Sequence, residues 1–516
     1  MRTLLPVLAA LGPLLLVLLG LVPAAAADRA SRRMRLAVTA AAGIAALSAA
    51  VVALALALGG RALPGAIIQL DSVSATMLLL VSSIGAVVAD YSRRYLDGDP
   101  GQGRFMKWLA LTLASVLALV IAGNLLLLAA AWVATSLCLN RLLLFYGTRP
   151  GAVLAARKKA IVSRVGDAAL VLAFLLLWQG FGTLGVAELR EAASALAARG
   201  EGGLLVGVIA LLLAVAAVLT SAQFPAHGWL IEVMETPTPV SALLHAGIIN
   251  AGGFLIIRFA DVVALSPAAL DLLLIVGAAT SVIGAAVMLT QTSVKVALAW
   301  STVAQMGFMV MQLGLGAFAA ALLHIVAHAL YKAHAFLSSG SVVAARRPAP
   351  LPPLPKRVLL PALCVAVAIV LAVGAALGMP AAEAPAAAVL GSVLVMALVP
   401  TLATAAAAPG SAAFVLRAWA MAGGVAVLWF GLQAGAAALF ASALPEATAP
   451  RSLFAALLCV LTVLAFAALL VLNVARRSPV PGRLLGALYV HLLNGAYVNA
   501  AINARLARPA SAKGGQ

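Results

Sequence analysis

Apolar stretches of about 20 residues recur from one end of this chain to the other, separated by short polar connections. A hydrocarbon core of about 30 Å is crossed by about 20 apolar residues in an α-helix, which pairs its backbone N–H and C=O groups internally. The pattern therefore predicts an all-α fold, a polytopic membrane helix bundle of about 14–15 spans. The predicted spans are 4–23, 36–58, 72–90, 106–123, 124–146, 161–181, 203–222, 238–257, 268–290, 295–313, 316–340, 357–378, 386–407, 412–440 and 453–474.

The connections alternate in charge. One set is basic: Arg29–Arg35, Arg93/Arg94/Arg104/Lys107, Arg149/Arg157/Lys158/Lys159, Arg346/Arg347/Lys356/Arg357 and Arg476/Arg477/Arg483. The other set is nearly neutral: Arg61 alone, Glu188/Arg190/Glu191/Arg199/Glu201, Glu383, and Glu446 with Arg451. Basic loops stay in the cytoplasm, so the alternation predicts an N-terminus outside and a C-terminus in the cytoplasm. The N-terminal run imitates a signal peptide, but its apolar part is long enough to span and basic residues follow it directly. It is read as a retained first span. The Pro-rich loops RRPAPLPPLPKR and RRSPVPGR read as stiff cytoplasmic connectors.

Composition sharpens this picture. The chain is 65% hydrophobic and 9% charged, which excludes a soluble globular protein. A net charge of +18 would suggest nucleic acid in a soluble protein, but here membrane topology accounts for the basic loops. Cys138, Cys364 and Cys459 lie in apolar segments without ligand spacing. No connection is long enough to fold alone, so any soluble catalytic part must come from another chain.

Four places break the apolar monotony. In ALLHIVAHALYKAHAFLSSGS, His324, His328 and Lys332 fall four residues apart, which stacks them on one helix face. A lysine costs roughly 2.5–3.5 kcal/mol at the centre of an inserted helix. Such a row reads as a line of proton or ion relay groups facing a hydrated cavity. The plainer alternative is two packed histidines and a snorkelling lysine. A zinc reading of His324 and His328 lacks both a glutamate and a third ligand.

In VSRVGD, Arg164 and Asp167 enter a span as an i,i+3 pair, either a structural neutralisation or part of a site. In residues 221–254, Pro225, Pro237 and Pro239 forbid unbroken helix. A helix ending near Gln223, a short piece through Trp229 and a restart at Thr238–Pro239 are predicted. Broken helices at membrane depth line polar cavities, which draws His245 into the pathway. Lys295 opens the span that leads, through a short turn, into the His324–Lys332 helix as an antiparallel hairpin. The closing segment GALYVHLLNGAYVNAAINARLARP is moderately apolar and amphipathic, suited to the membrane surface or a partner.

Together VSRVGD, HGWLIEVMETPTPVSALLHAG, VKVALAWSTVAQMGFM and LLHIVAHALYKAHAFLSSGS resemble the proton-antiporter-like membrane subunits of respiratory complex I and Mrp-type antiporters. The resemblance covers roughly residues 70–345. It implies inverted five-helix repeats with a broken helix in each, and relay roles for His245, Lys295, His324, His328 and Lys332. Asp167 and Arg164 would stand close to the first-half site. The division it implies is 1–70 N-terminal spans, 71–345 antiporter-like core, 346–475 C-terminal spans and 476–516 amphipathic tail.

Three groups usual in that family are missing. Val133 follows Trp132 where the family carries glutamate, and Thr220 stands where it carries a lysine. The last third lacks the lysine expected in the second repeat's broken helix, and no long lateral helix is expected after the last span. HGWLIEVMETPTPVSALLHAGIINAGGF, LAARKKAIVSRVGD, YKAHAFLSSGS and YVHLLNGAYVNA resemble one branch, the membrane subunits of Dab-type inorganic carbon accumulation systems. That resemblance implies a bacterial inner-membrane transport subunit, not itself an enzyme, with no cofactor of its own. Its partner would be a large soluble DabA-type subunit bearing a zinc site of the β-carbonic-anhydrase kind, with cation flow driving hydration of CO2 to bicarbonate. Two other readings stand beside it: a subunit of a respiratory or Mrp complex, and a non-conducting membrane anchor.

Overall fold

A computed structural model describes residues 4–59, 62–341, 353–379, 385–408, 412–445, 452–475, 477 and 483–506. Most of the two Pro-rich connectors, and Arg61, Glu383, Glu446 and Arg451, lie outside the described residues. Among those described, 14 helices are long and apolar enough to cross a membrane, and no strand longer than an isolated bridge occurs. The protein is a polytopic helical bundle.

The first helix, α1 (Leu4–Gly20), has 17 residues with Pro13 inside. At 1.5 Å per residue it reaches about 26 Å, slightly short of a hydrocarbon core. A short α2 (Ala24–Arg29) turns the chain into α3 (Ser31–Ala57), then α4 (Ser72–Tyr95) and α5 (Gln102–Ile121). Asp71 starts α4 with a capping box: its carboxylate accepts from the Ser74 N–H, and the Ser74 hydroxyl accepts from the Asp71 N–H. Next come α6 (Leu125–Leu143), capped by Asn124, and α7 (Pro150–Phe181), with proline in its first turn.

The polar connections of the first half gather by charge where they are described. Arg35 pairs with Asp97, Lys107 donates to the Val22 carbonyl at 2.8 Å, and Tyr146 donates to Asp99 at 3.0 Å. Three basic connections therefore meet at one end of the bundle. At the other end, isolated bridges join Ile68 to Ala122 and Asn124 to Gly185.

One difference matters for function. The span expected over 161–181 begins eleven residues earlier, because Ala, Arg and Lys favour helix after Pro150. Lys158 and Lys159, expected in a loop, are instead buried helix residues at 4% and 5% exposure.

An amphipathic α8 (Val186–Arg199) leads into α9 (Gly203–Thr220), where the chain breaks as its prolines require. A short α10 (Gly228–Glu232) follows, and α11 (Thr238–Ala246) restarts with Pro239 in its first turn. A second interruption was not expected: a 3₁₀ turn at Ile248–Asn250 separates α11 from α12 (Ala251–Arg258). Glycines let α12 approach its neighbours. A Cβ at Gly252 would collide with the Ala217 carbonyl of α9. The far end of α12 is tied to the cap of α4 by a buried Arg258–Asp71 ion pair at 2.6 Å.

After α13 (Ala260–Val263), α14 (Pro267–Met288) packs along α15 (Val294–Gly314), and α16 (Phe318–Leu337) returns antiparallel to α15. The remaining spans are α17 (Lys356–Ala376), α18 (Pro385–Ala407), α19 (Ala412–Phe440) and α20 (Leu453–Ala475). They expose rows of large apolar side chains, such as Leu453, Leu457, Leu461 and Leu464, as lipid-facing helices do.

The tail forms α21 (Arg483–Leu493) and α22 (Val498–Leu506). It lies on this chain itself. Asn499 and Asn503 donate to Glu232 at 2.9 and 2.7 Å, and Lys158 bonds Asn499 at 2.6 Å.

Candidate ion pathway

The helix α16 delivers its polar row as the four-residue spacing requires. His328 and Lys332 are buried, His324 is half-buried, and the two imidazoles stack at 5.9 Å between ring centres. From Lys332 to His324 the row climbs about 12 Å, at 1.5 Å per residue, nearly half of a bilayer core. Lys332 is 0% exposed, and its Nζ donates to the Leu298 carbonyl of α15 at 3.1 Å. The same carbonyl accepts the Thr302 hydroxyl at 3.1 Å. No carboxylate among the described residues is in ion-pair contact with Lys332. Besides that carbonyl, the ammonium lies 5.6 Å from the centre of the Tyr331 ring.

His245 belongs to the same cluster. The break before α11 swings it against α16, where its ring stacks on Phe336 at 4.3 Å and 16°. Among the described residues, neither nitrogen of His245 or His328 has a protein hydrogen-bond partner. Lys295 stands at one end of the row, donating to the Thr238 hydroxyl at 3.1 Å, and that hydroxyl lies 3.4 Å from Tyr95 Oη. Phe308 covers His324 at the other end, at 5.4 Å.

Arg164 and Asp167 form a separate cluster on α7. Asp167 Oδ2 pairs with Arg164 at 2.7 Å, and Oδ1 accepts the Trp132 indole N–H at 3.0 Å. Beside them a cavity of about 40 Å³ is lined by Trp132, Ser136, Lys159, Ser163, Asp167 and Thr220, among others. Leu244, Ile248 and Ile249 close its far wall. The interrupted segment α11–α12 thus stands between the two clusters, presenting Leu244 to one and His245 to the other.

Two residues of this region escaped the sequence reading. Lys159 is indistinguishable in sequence from Arg157 and Lys158 beside it, all three read as loop cations. His227 is buried at the break before α10, between Phe224 at 5.1 Å and Trp300 at 4.9 Å. Its place within HGWLIE, two residues after Pro225, was the available signal. Val133 is half-buried against the core, while Thr220 does line the cavity. Among the described residues, no three His, Cys, Asp or Glu side chains group as a metal site.

The profile of the family described as NADH:quinone oxidoreductase/Mrp antiporter, TM, matches residues 122–401, more than half of the chain. The chain belongs to that family. A second profile, described as NADH-ubiquinone oxidoreductase (complex I), chain 5 N-terminus, matches residues 66–106. The candidate residues Arg164, Asp167, His245, Lys295, His324, His328 and Lys332 all lie within the larger match.

Similar proteins divide between two functional settings. A Halothiobacillus neapolitanus protein named "Probable inorganic carbon transporter subunit DabB2" is 47% identical over 291 residues, covering 55% of this chain and 52% of that protein. Hydrogenovibrio crunogenus has a "Probable inorganic carbon transporter subunit DabB", 48% identical over 54% of this chain and 53% of its own length. NADH-quinone oxidoreductase subunit L of Escherichia coli is 41% identical over 54% of this chain and 45% of that protein. The chain spans about half the length of the carbon-transporter relatives it matches. Among solved structures, the Mrp complex from Dietzia sp. is similar with a TM-score of 0.57 and 26% identity, over 98% of this chain and 57% of that one.

Proposed function

We propose that this chain is a cation-conducting, specifically proton-conducting, membrane subunit of an energy-coupled inorganic carbon uptake complex. Its partner would be a large soluble zinc-binding subunit of the DabA type on the cytoplasmic face, which hydrates CO2 to bicarbonate while cation flow through this chain supplies the energy. The chain itself transports and is no enzyme, carries no cofactor, and sits in a bacterial inner membrane with its N-terminus outside and its C-terminus in the cytoplasm. The observation that carries conduction is the buried row of His324, His328 and Lys332, with His245 against it. Intramembrane ionisable groups that face a bundle interior mark ion paths. A lysine without an ion-pair partner can release its proton without breaking an ion pair, and an imidazole can take a proton at one ring nitrogen and release it from the other. Similarity to proteins named as inorganic carbon transporter subunits supports the substrate.

A second reading rests on the match to subunit L of NADH-quinone oxidoreductase: an antiporter-like subunit of a redox complex. Copurification in mild detergent separates the two. A large zinc protein that comes with the chain, and bicarbonate accumulation restored in cells lacking other carbon uptake, are the expected result. Quinone-linked subunits in its place would overturn the carbon uptake reading.

A further inference from the structure

The cavity beside Asp167 holds a lysine in the same manner as the α16 row does. Lys159 donates from Nζ to the Ser136 carbonyl at 2.8 Å and the Ser136 hydroxyl at 2.7 Å, both on α6. It is 5% exposed, and no carboxylate among the described residues is in ion-pair contact with it. Lys332 repeats the pattern on the Leu298 carbonyl of α15. In both, a buried ammonium rests on a helix carbonyl, with no carboxylate among the described residues in ion-pair contact.

Its neighbour Lys158 shows what a structural lysine looks like in this fold. That side chain is paired with Glu232 at 2.7 Å and bonded to Asn499. Snorkelling does not describe Lys159 either, because its head group is held by Ser136 beside a partly enclosed cavity that Ser163, Asp167 and Thr220 also line. A cavity of about 40 Å³ has room for about three waters, at roughly 10–15 Å³ each by this measure. The groups facing Lys159 are Asp167 and Arg164 on α7, Ser136 and Cys138 on α6, Thr220 on α9 and Trp229 on α10. Of these, Asp167 is the only carboxylate, and Trp132 and Arg164 hold its two oxygens.

We infer that Lys159 and Asp167 form a second proton station, in which Lys159 supplies from α7 the base that position 220 lacks. The step is a single proton transfer. Nζ of Lys159 gives its proton, directly or through a water, to the Asp167 carboxylate, leaving a neutral amine and a neutral acid. The amine is then reprotonated from the opposite side as the acid releases its proton onward. The inference rests on proton conduction as proposed above and adds a site to it.

The test uses four variants of the assembled complex: Lys159→Arg, Lys159→Met, Lys159→Met with Thr220→Lys, and Lys332→Met. Membrane-fraction blots report assembly and bicarbonate accumulation reports transport. Arginine keeps the charge and donors but holds its proton at any working pH. Lys159→Arg and Lys159→Met are expected to assemble and to lose uptake. Thr220→Lys, which places an amine on another wall of the same cavity, should restore uptake to the Lys159→Met background. Wild-type uptake by Lys159→Arg overturns the inference, as does a Lys159→Met variant that Thr220→Lys leaves inactive. If Lys159→Met fails to assemble, the Arg variant decides alone. Loss in Lys332→Met beside normal uptake in Lys159→Arg removes only the second station, whereas normal uptake in Lys332→Met removes proton conduction through the α16 row itself.

Discussion

Replacing Lys332 with methionine should separate stability from transport. The change removes one hydrogen bond, from Nζ to the Leu298 carbonyl at 3.1 Å, and no ion pair. A bond from a charged donor is worth about 1.5–3 kcal/mol net. Against that stands the penalty of burying the ammonium at 0% exposure, several kcal/mol for an ion without a partner. Leu298 is not orphaned, because its carbonyl still accepts the Thr302 hydroxyl. Methionine also matches the length of the lysine stem and packs as an adaptable apolar side chain. The balance favours the variant: a melting temperature equal to or above that of wild type, with uptake at background. Thermal unfolding of the detergent-solubilised complex and bicarbonate accumulation in a strain without other uptake systems measure the two halves. A folded Lys332→Met complex that accumulates bicarbonate normally would refute the relay role. A large fall in melting temperature would show instead that Lys332 holds the α15–α16 hairpin together.

Other expectations follow from the same geometry. His245→Ala and His328→Ala should each impair uptake, and the double variant should be little worse than the poorer single one, because both rings serve one cluster against α16; additive losses would mean independent packing roles. Asp167→Asn keeps an acceptor for the Trp132 indole, so it should assemble and yet fail to transport; loss of the protein from the membrane would make Arg164–Asp167 a structural pair. Asp71→Asn should destabilise by about 3–5 kcal/mol, since it strands the buried Arg258 guanidinium, and a melting curve would detect it. Burial pushes the Asp71 carboxyl up, but Arg258, the Ser74 N–H and Gln69 outweigh it and hold the group below its ordinary 3.8. Its stabilisation is therefore complete above that value and fades as pH falls through the lower folded one. Glu232→Gln weakens the Lys158 pair that helps hold α22, so limited proteolysis should cut the tail faster than in wild type.

The periodicity of the chain made the bundle and the α16 row legible, because spacing along one helix needs no tertiary information. Pro225, Pro237 and Pro239 likewise announced the break before α11, since proline's missing N–H acts locally. The 3₁₀ interruption at Ile248–Asn250 carries no such mark, and the small residues on either side of it, Ala246, Gly247, Ala251, Gly252 and Gly253, read equally well as a close-packed helix. Lys159 was hidden for a different reason. A basic residue at the edge of an apolar run anchors a loop in most membrane proteins, and only Ser136 across on α6 reveals that this one points inward. The tail could be read as amphipathic but not placed, because the contacts of Asn499 lie on residues 341 and 267 positions away in the chain.

Conduction itself is tested most directly by proton flux in sealed vesicles. The complex purified with its partner is reconstituted into liposomes containing a pH-sensitive dye, and an imposed potassium diffusion potential drives cations inward. The predicted result is an internal acidification in wild type that a protonophore does not increase further, and that is absent in assembled Lys332→Met. A wild-type complex, competent for bicarbonate formation, that passes no protons under this potential would contradict the account. Equal flux in wild type and Lys332→Met would do the same for the pathway assigned to α16.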